Sequence, residues 1–185
     1  MLEDDLSNIV ISQEDLKLRT AALGAEITAA YASVSELTVL CVTNGAVVFA
    51  ADLIRSIAMP MRLDCIAVSS YHGDKAHLDA AALADSMRLD IRGRHVLLID
   101  DVVDTGRTIR RLTEALKAIK PKTLKTCVLL SKAGRREVGS DPDFVGFTIP
   151  DLFVVGYGLD FAEQYRNLPC VGTLRPSLQN PPTWQ

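Results

Sequence analysis

The chain predicts an α/β domain in which a mostly parallel sheet is covered on both faces by helices, and three observations predict it. Short apolar runs alternate with stretches of helical periodicity along the length of the chain. The run Val96-Leu97-Leu98-Ile99 holds no polar residue, as expected of a strand buried on both faces. The 185 residues, 48% of them hydrophobic, suffice for one compact core, with no repeat and no low-complexity segment.

Taken in order, Ser12 followed by Asp15 looks like a capping box, and Leu16, Leu23, Ile27 and Tyr31 then fall near one helical face. Residues 38–42 predict a strand, 46–57 a helix and 65–69 a second strand. Residues 78–89, rich in alanine and leucine, are open to two readings: part of a mobile cover, or a plain surface helix. The strand at 96–99 comes next, and Ile109, Leu112, Leu116 and Ile119 keep the spacing of the helix after it, which Pro121 ends. Residues 126–130, 144–147 and 153–155 predict further strands, the last two separated by Pro150 and Asp151. The tail 175–185, with three prolines, reads as irregular and partly mobile.

Composition excludes several functions. A net charge of −3 offers no basic face for nucleic acid. No apolar run reaches the roughly 18 residues needed to span a membrane, and the acidic start Met-Leu-Glu-Asp-Asp is unlike a secretory leader. Cys41, Cys65, Cys127 and Cys170 are far apart and form no C-x-x-C pair, so they read as reduced core thiols in a cytoplasmic protein rather than as metal ligands.

The chemistry concentrates in residues 96–108, where the apolar strand runs into Asp100-Asp101 and then a hydroxyl- and glycine-rich turn. Asp104, Thr105, Gly106 and Thr108 are read into that turn. Backbone N–H groups at a helix start, with two hydroxyls, can hold a dianionic phosphate, and Gly106 allows close approach. Asp100 and Asp101 are placed for a ribose diol or its divalent metal. The alternative is an acidic helix cap favoured by the helix dipole.

This segment resembles the signature of type I phosphoribosyltransferases, which bind phosphoribosyl pyrophosphate (PRPP). The resemblance extends from about Leu16 to Leu174, and Ser131-Lys132 through Ile149-Pro150-Asp151, Phe153-Val154-Val155-Gly156-Tyr157-Gly158-Leu159-Asp160 and Arg166 look like the purine-binding half of the hypoxanthine-guanine branch. It implies the type I phosphoribosyltransferase fold, with residues 1–185 as a single domain whose small hood is built from N- and C-terminal segments. It implies a site as well. Asp100, Asp101, Asp104, Thr105, Gly106, Arg107 and Thr108 bind the ribose phosphate, and Asp104 is the catalytic base toward purine N7. Thr43, Asn44, Gly45 and Arg166 bind pyrophosphate, with Thr43–Asn44 a cis peptide. Asn44 departs from the family's usual lysine, and the loop also admits the reading of an ordinary Asn-Gly turn. Lys132 donates to the purine 6-oxo group, Phe153 stacks on the ring, and Val154 and Asp160 complete the purine side. Ser70 and Tyr71 look like the family's mobile closing loop. For Asp104 the bland alternative is an Asx turn.

The activity implied is magnesium-dependent purine salvage, transferring the phosphoribosyl group to hypoxanthine or guanine. Asp100, Asp101 and Asp160 are the metal ligands the resemblance implies. The implied partners are PRPP, a 6-oxopurine and a second or further copies of the chain, as homodimer or homotetramer, with neither nucleic acid nor membrane. The alternatives are a relative selective for xanthine or hypoxanthine, or a non-catalytic regulator that senses PRPP or purines.

Overall fold

The computed structural model describes residues 2–67, 79–134 and 141–179. A 3-10 turn at Leu2–Asp5 leads into β1 (Leu6–Ile11), α1 (Gln13–Ala30), β2 (Leu37–Thr43), α2 (Val47–Ser56), β3 (Met61–Ala67) and α3 (Ala80–Ser86). Then come β4 (His95–Val103), α4 (Arg107–Ala118), β5 (Thr123–Lys132), β6 (Phe144–Ile149), β7 (Val171–Leu174) and a 3-10 turn at Pro176–Leu178.

Five strands form one parallel sheet in the order β3-β2-β4-β5-β6. The central strands carry unbroken apolar runs, Val39–Val42, Val96–Ile99 and Cys127–Leu130, because both faces are covered there. Val39, Cys41, Leu97 and Ile99 face a core shared with Leu16, Leu23 and Ile27 of α1 and Phe49 and Leu53 of α2. Leu40, Val42, Val96 and Leu98 face the opposite core, with Leu83 of α3 and Ile109, Leu112 and Leu116 of α4. Gly24 lets α1 and α2 meet: a Cβ there would lie 2.4 Å from the Ser56 carbonyl oxygen. At the β6 edge, Arg19 of α1 donates from Nε to the Gly146 carbonyl at 2.9 Å and from Nη2 to the Val145 carbonyl at 2.7 Å. Those bonds occupy backbone acceptors that an edge strand otherwise leaves open.

Away from this sheet, β1 and β7 pair antiparallel as a two-stranded ribbon from the two ends of the chain, a pairing the sequence reading did not contain. Its register shifts between Leu6 and Asn8 and again between Ile9 and Ile11, which breaks the period-2 alternation that marks a strand.

Most predicted elements stand, with shifted ends. The predicted strand 65–69 is β3, four residues earlier at its start, because an edge strand exposes Arg62, Leu63 and Cys65 and shows little apolar pattern. Ser69 lies outside the described residues. Of 78–89, only Ala80–Ser86 is helical among the described residues, and it buries Leu83. Ile119 is the C-cap of α4 rather than part of its body; Lys120 follows with φ 64°, before Pro121. Residues 153–155 are not a strand: only Val155 forms a bridge, to Gly172. Cys65 is exposed, so the reading of four core thiols is corrected to three. Of the tail, residues 180–185 lie outside the described residues.

Candidate active site

In a parallel sheet the place for a ligand is where consecutive connections leave to opposite faces, opening a crevice at the strands' C-terminal ends. Here that place lies between β2 and β4: α2 leaves β2 toward one core and α4 leaves β4 toward the other. Thr43 ends β2 with Asn44 and Gly45 after it, and Asp100 and Asp101 lie toward the end of β4. The Thr43–Asn44 peptide bond is cis, as the resemblance implied.

The two loops touch. A Cβ on Gly45 would lie 1.7 Å from Asp101 Oδ2, so only glycine lets that carboxylate rest against the loop. Gly158, with φ +103°, closes on the other side: a Cβ there would lie 2.2 Å from the Gly45 carbonyl oxygen. Gly158 is a site residue that sequence reasoning quoted without a role.

Asp100 is 7% exposed, and its Oδ1 accepts the Asp101 N–H at 3.0 Å; Asp101 Oδ1 accepts the Val102 N–H at 2.7 Å. Burial, and then the charge of Asp101, raise the Asp100 carboxyl well above its ordinary range. Burial also raises Asp101, against the Val102 N–H and the nearby Arg166 charge that pull it down. Two crowded, desolvated carboxylates are a pair that an added cation would relieve.

Gly106 takes φ +83° as the N-cap of α4, a left-handed conformation that glycine adopts without penalty. Arg107 and Thr108 then belong to the helix, which corrects the reading that put Thr108 in the turn. The Arg107 N–H donates to Thr105 Oγ1 at 3.4 Å. Neither α4 nor α2 has a side-chain cap or an acidic residue in its first turn. Backbone donors at both helix starts therefore lack the acidic neighbour that helices ordinarily place there.

Lys132, the last residue of β5, brings the second half of the site to the first. Its Nζ lies 3.8 Å from Asp104 Oδ2 and 3.5 Å from Asp151 Oδ1, with the side chain 13% exposed. Asp151 was missed as a site residue; its place beside Ile149 and Pro150 at the end of β6 was the available signal. Phe153 is 53% exposed and meets Phe161 edge-to-face at 5.7 Å, so a ring face is open for stacking, while Val154 is buried. Arg166 Nη1 donates to the Gly158 carbonyl at 2.9 Å, and its Nη2 pairs with Asp160 Oδ1 at 2.9 Å and Glu163 Oε2 at 3.0 Å. The other Asp160 oxygen accepts the Glu163 N–H at 2.9 Å. Ser70 and Tyr71 lie outside the described residues.

Among the described residues no three or more His, Cys, Asp or Glu side chains converge as an all-protein metal cage. A pair of hard oxygen donors with an open remainder suits magnesium, which keeps waters and substrate oxygens in its shell. Asp100 and Asp101 fit that role; Asp160 would first have to share or release Arg166.

A family model described as the phosphoribosyl transferase domain matches residues 12–162. The chain is 38% identical to a hypoxanthine-guanine phosphoribosyltransferase from Bacillus subtilis strain 168 over 178 residues, 96% of this chain and 98% of the relative. It is 41% identical over 165 residues to a hypoxanthine phosphoribosyltransferase from Salmonella typhimurium, covering 89% of this chain and 93% of the relative. Among solved structures, a hypoxanthine phosphoribosyltransferase from Staphylococcus aureus superposes with a TM-score of 0.87 at 35% identity, over 96% of this chain and 97% of that one.

Proposed function

The chain belongs to the phosphoribosyl transferase family, and from that premise we propose that it is a hypoxanthine-guanine phosphoribosyltransferase of purine salvage. It transfers the phosphoribosyl group of PRPP to hypoxanthine or guanine, giving IMP or GMP and pyrophosphate. The observation that carries the substrate class is the pair Lys132 and Asp104, 3.8 Å apart. A 6-oxopurine presents O6 and N7 side by side on one ring edge. A cation beside a carboxylate addresses both at once: Lys132 donates to O6, and Asp104 accepts the N7 proton as N9 attacks the sugar.

The remaining roles follow. Gly106, Arg107 and Thr108 bring the start of α4 to the 5-phosphate, with the hydroxyls of Thr105 and Thr108 as further donors. Gly45 and its cis-linked neighbours present backbone donors to pyrophosphate, which do not depend on the lysine that Asn44 replaces, and Arg166 supplies positive charge there. Asp100 and Asp101 hold the ribose diol and magnesium, which supplies charge neutralisation of the leaving pyrophosphate when bound. Asp151 orients Lys132; Phe153 stacks on the base. Asp160 would be a further holder of magnesium once it shares or releases Arg166.

Family likeness supports a homodimer or homotetramer, a cytoplasmic setting, and a reading of the β1–β7 ribbon as the hood over one phosphoribosyltransferase domain. A sensor that acts on nucleic acid is disfavoured by the net charge of −3 and by the retention of Asp104, Lys132 and Asp160. The test is incubation with magnesium, PRPP and each purine base. Formation of IMP and GMP with equimolar pyrophosphate is expected, and absence of both nucleotides overturns the assignment.

A further inference from the structure

The parallel sheet sets two cysteines side by side below the cleft. Cys41 of β2 and Cys65 of β3 are direct register partners, so their side chains leave the same face of neighbouring strands. Strands lie about 4.7–4.9 Å apart, inside the roughly 4.4–6.8 Å Cα range that disulfides bridge. Side chains that run parallel hold their β-carbons near that same spacing, above the mean of about 3.8 Å in disulfides, so a bridge here forms under strain and is readily reduced.

Exposure makes the pair asymmetric. Cys65 is exposed on the edge strand and Cys41 is buried, and both thiols are free. Burial, with the Cys65 sulfur beside it, pushes the Cys41 thiol up to about 12, so Cys41 is protected from a dissolved oxidant that Cys65 meets directly. Cys127 is buried between Ile99 and Phe144 in the register, with no cysteine opposite it.

We propose that Cys65 is an oxidation site for peroxides and that Cys41 resolves it into an intrachain disulfide between β2 and β3. The Cys65 thiolate attacks hydrogen peroxide, the O–O bond breaks, and Cys65 becomes a sulfenic acid with hydroxide leaving. The Cys41 sulfur then attacks the sulfenic sulfur; the new S–S bond forms, and hydroxide departs with the Cys41 proton as water. Two thiols are oxidised by two electrons, and one peroxide is reduced to two waters. Cys41 lies two residues before Thr43, so the staple constrains the strand that carries the pyrophosphate loop; this coupling rests on the proposed function, whereas the modification does not.

The test treats reduced protein with hydrogen peroxide, unfolds it with an alkylating reagent, and maps the digested peptides by mass spectrometry. The expected result is joint loss of alkylatable Cys41 and Cys65 into one cross-linked peptide pair, with Cys127 and Cys170 still alkylated and full reversal by dithiothreitol. Cys65→Ser should abolish the cross-link, and Cys41→Ser should leave Cys65 as a sulfenic acid that dimedone traps. Oxidised Cys65 with Cys41 still alkylatable, or cross-links between chains only, overturns the proposal. On the same samples the KM for PRPP should rise with the cross-link and fall on reduction. A cross-link with unchanged KM would uphold the modification and refute its coupling to the cleft.

Discussion

The four α-helices among the described residues divide into two pairs by how their N-termini are finished. At α1, Ser12 Oγ accepts the Asp15 N–H at 3.1 Å and Glu14 and Asp15 stand in the first turn; at α3, Asp79 Oδ1 accepts the Ala81 N–H at 3.0 Å. These ends satisfy themselves. At α2 the cap is Ala46 and at α4 it is Gly106, with neither a capping side chain nor an acid in the first turn. Those two helices follow the strands that flank the crevice between β2 and β4. The difference teaches that stability and binding draw on the same helix-start N–H groups, and that this chain omits a capping side chain at the N-cap and an acid in the first turn at the two helices proposed to meet the substrate's phosphates.

Closing an open end should therefore harm function, and opening a closed end should harm only stability. Thr108→Asp puts a carboxylate into the first turn of α4, where the proposed site takes the 5-phosphate. Juxtaposed like charges cost several kcal/mol, so the KM for PRPP should rise by about 10²-fold or more, while the melting temperature of the substrate-free protein holds or increases slightly. An unchanged KM would place the phosphate elsewhere.

Asp104→Asn sharpens the comparison by separating chemistry from binding at the same loop. Turnover should fall by about 10²-fold or more with the KM for PRPP nearly unchanged, because the variant keeps the size and loses the base. Full turnover would return Asp104 to the role of a loop residue.

Two smaller effects concern stability. Ser12→Ala removes the cap of α1 and should cost about 1 kcal/mol, or roughly 2–4 °C in a chain of this length, with kinetics unaltered. Asp100→Asn should do the reverse. Burial and the charge of Asp101 raise the folded-state pKa of Asp100, so the native form binds its proton more tightly than the unfolded chain. That stability is present below the unfolded pKa and lost as pH rises through the folded one. Above the unfolded value the raised pKa makes Asp100 a net cost to folding, and the variant without metal or PRPP should melt higher at neutral pH, by on the order of 1 kcal/mol. Thermal denaturation in a chelator should show the gap closing toward about pH 4, near the ordinary carboxylate value; a lower melting point at pH 7 would show that the pair is satisfied within the protein.

What the sequence revealed follows the same division. Residues 96–108 are contiguous, so strand, acids, turn and helix can be read in one pass; the strand runs on through Asp100 and Asp101 to Val103 instead of ending at Ile99, and the boundary between turn and helix was misplaced. Lys132, Phe153, Asp160 and Arg166 come from separate stretches, and only family likeness grouped them. Asp151 beside Lys132 and Gly158 against Gly45 are contacts between segments far apart in sequence, which no local pattern marks. The β1–β7 ribbon joins the chain ends across two register shifts, so neither strand keeps an alternating signature. Cys65 was misread because apolar surroundings in sequence do not reveal that β3 is an edge.

The central claim is that Lys132 and Asp104 together read the O6–N7 edge of a 6-oxopurine. It is tested most directly by kcat/KM for hypoxanthine, guanine and adenine in the unaltered enzyme and in Lys132→Ala. Adenine offers an amino group where Lys132 needs an acceptor, and a site built around a required hydrogen bond discriminates by about 10⁴-fold. The account predicts a hypoxanthine preference of about that size, collapsing in Lys132→Ala through loss of the hypoxanthine rate rather than gain of the adenine rate. Comparable values for adenine and hypoxanthine in the unaltered enzyme would contradict it.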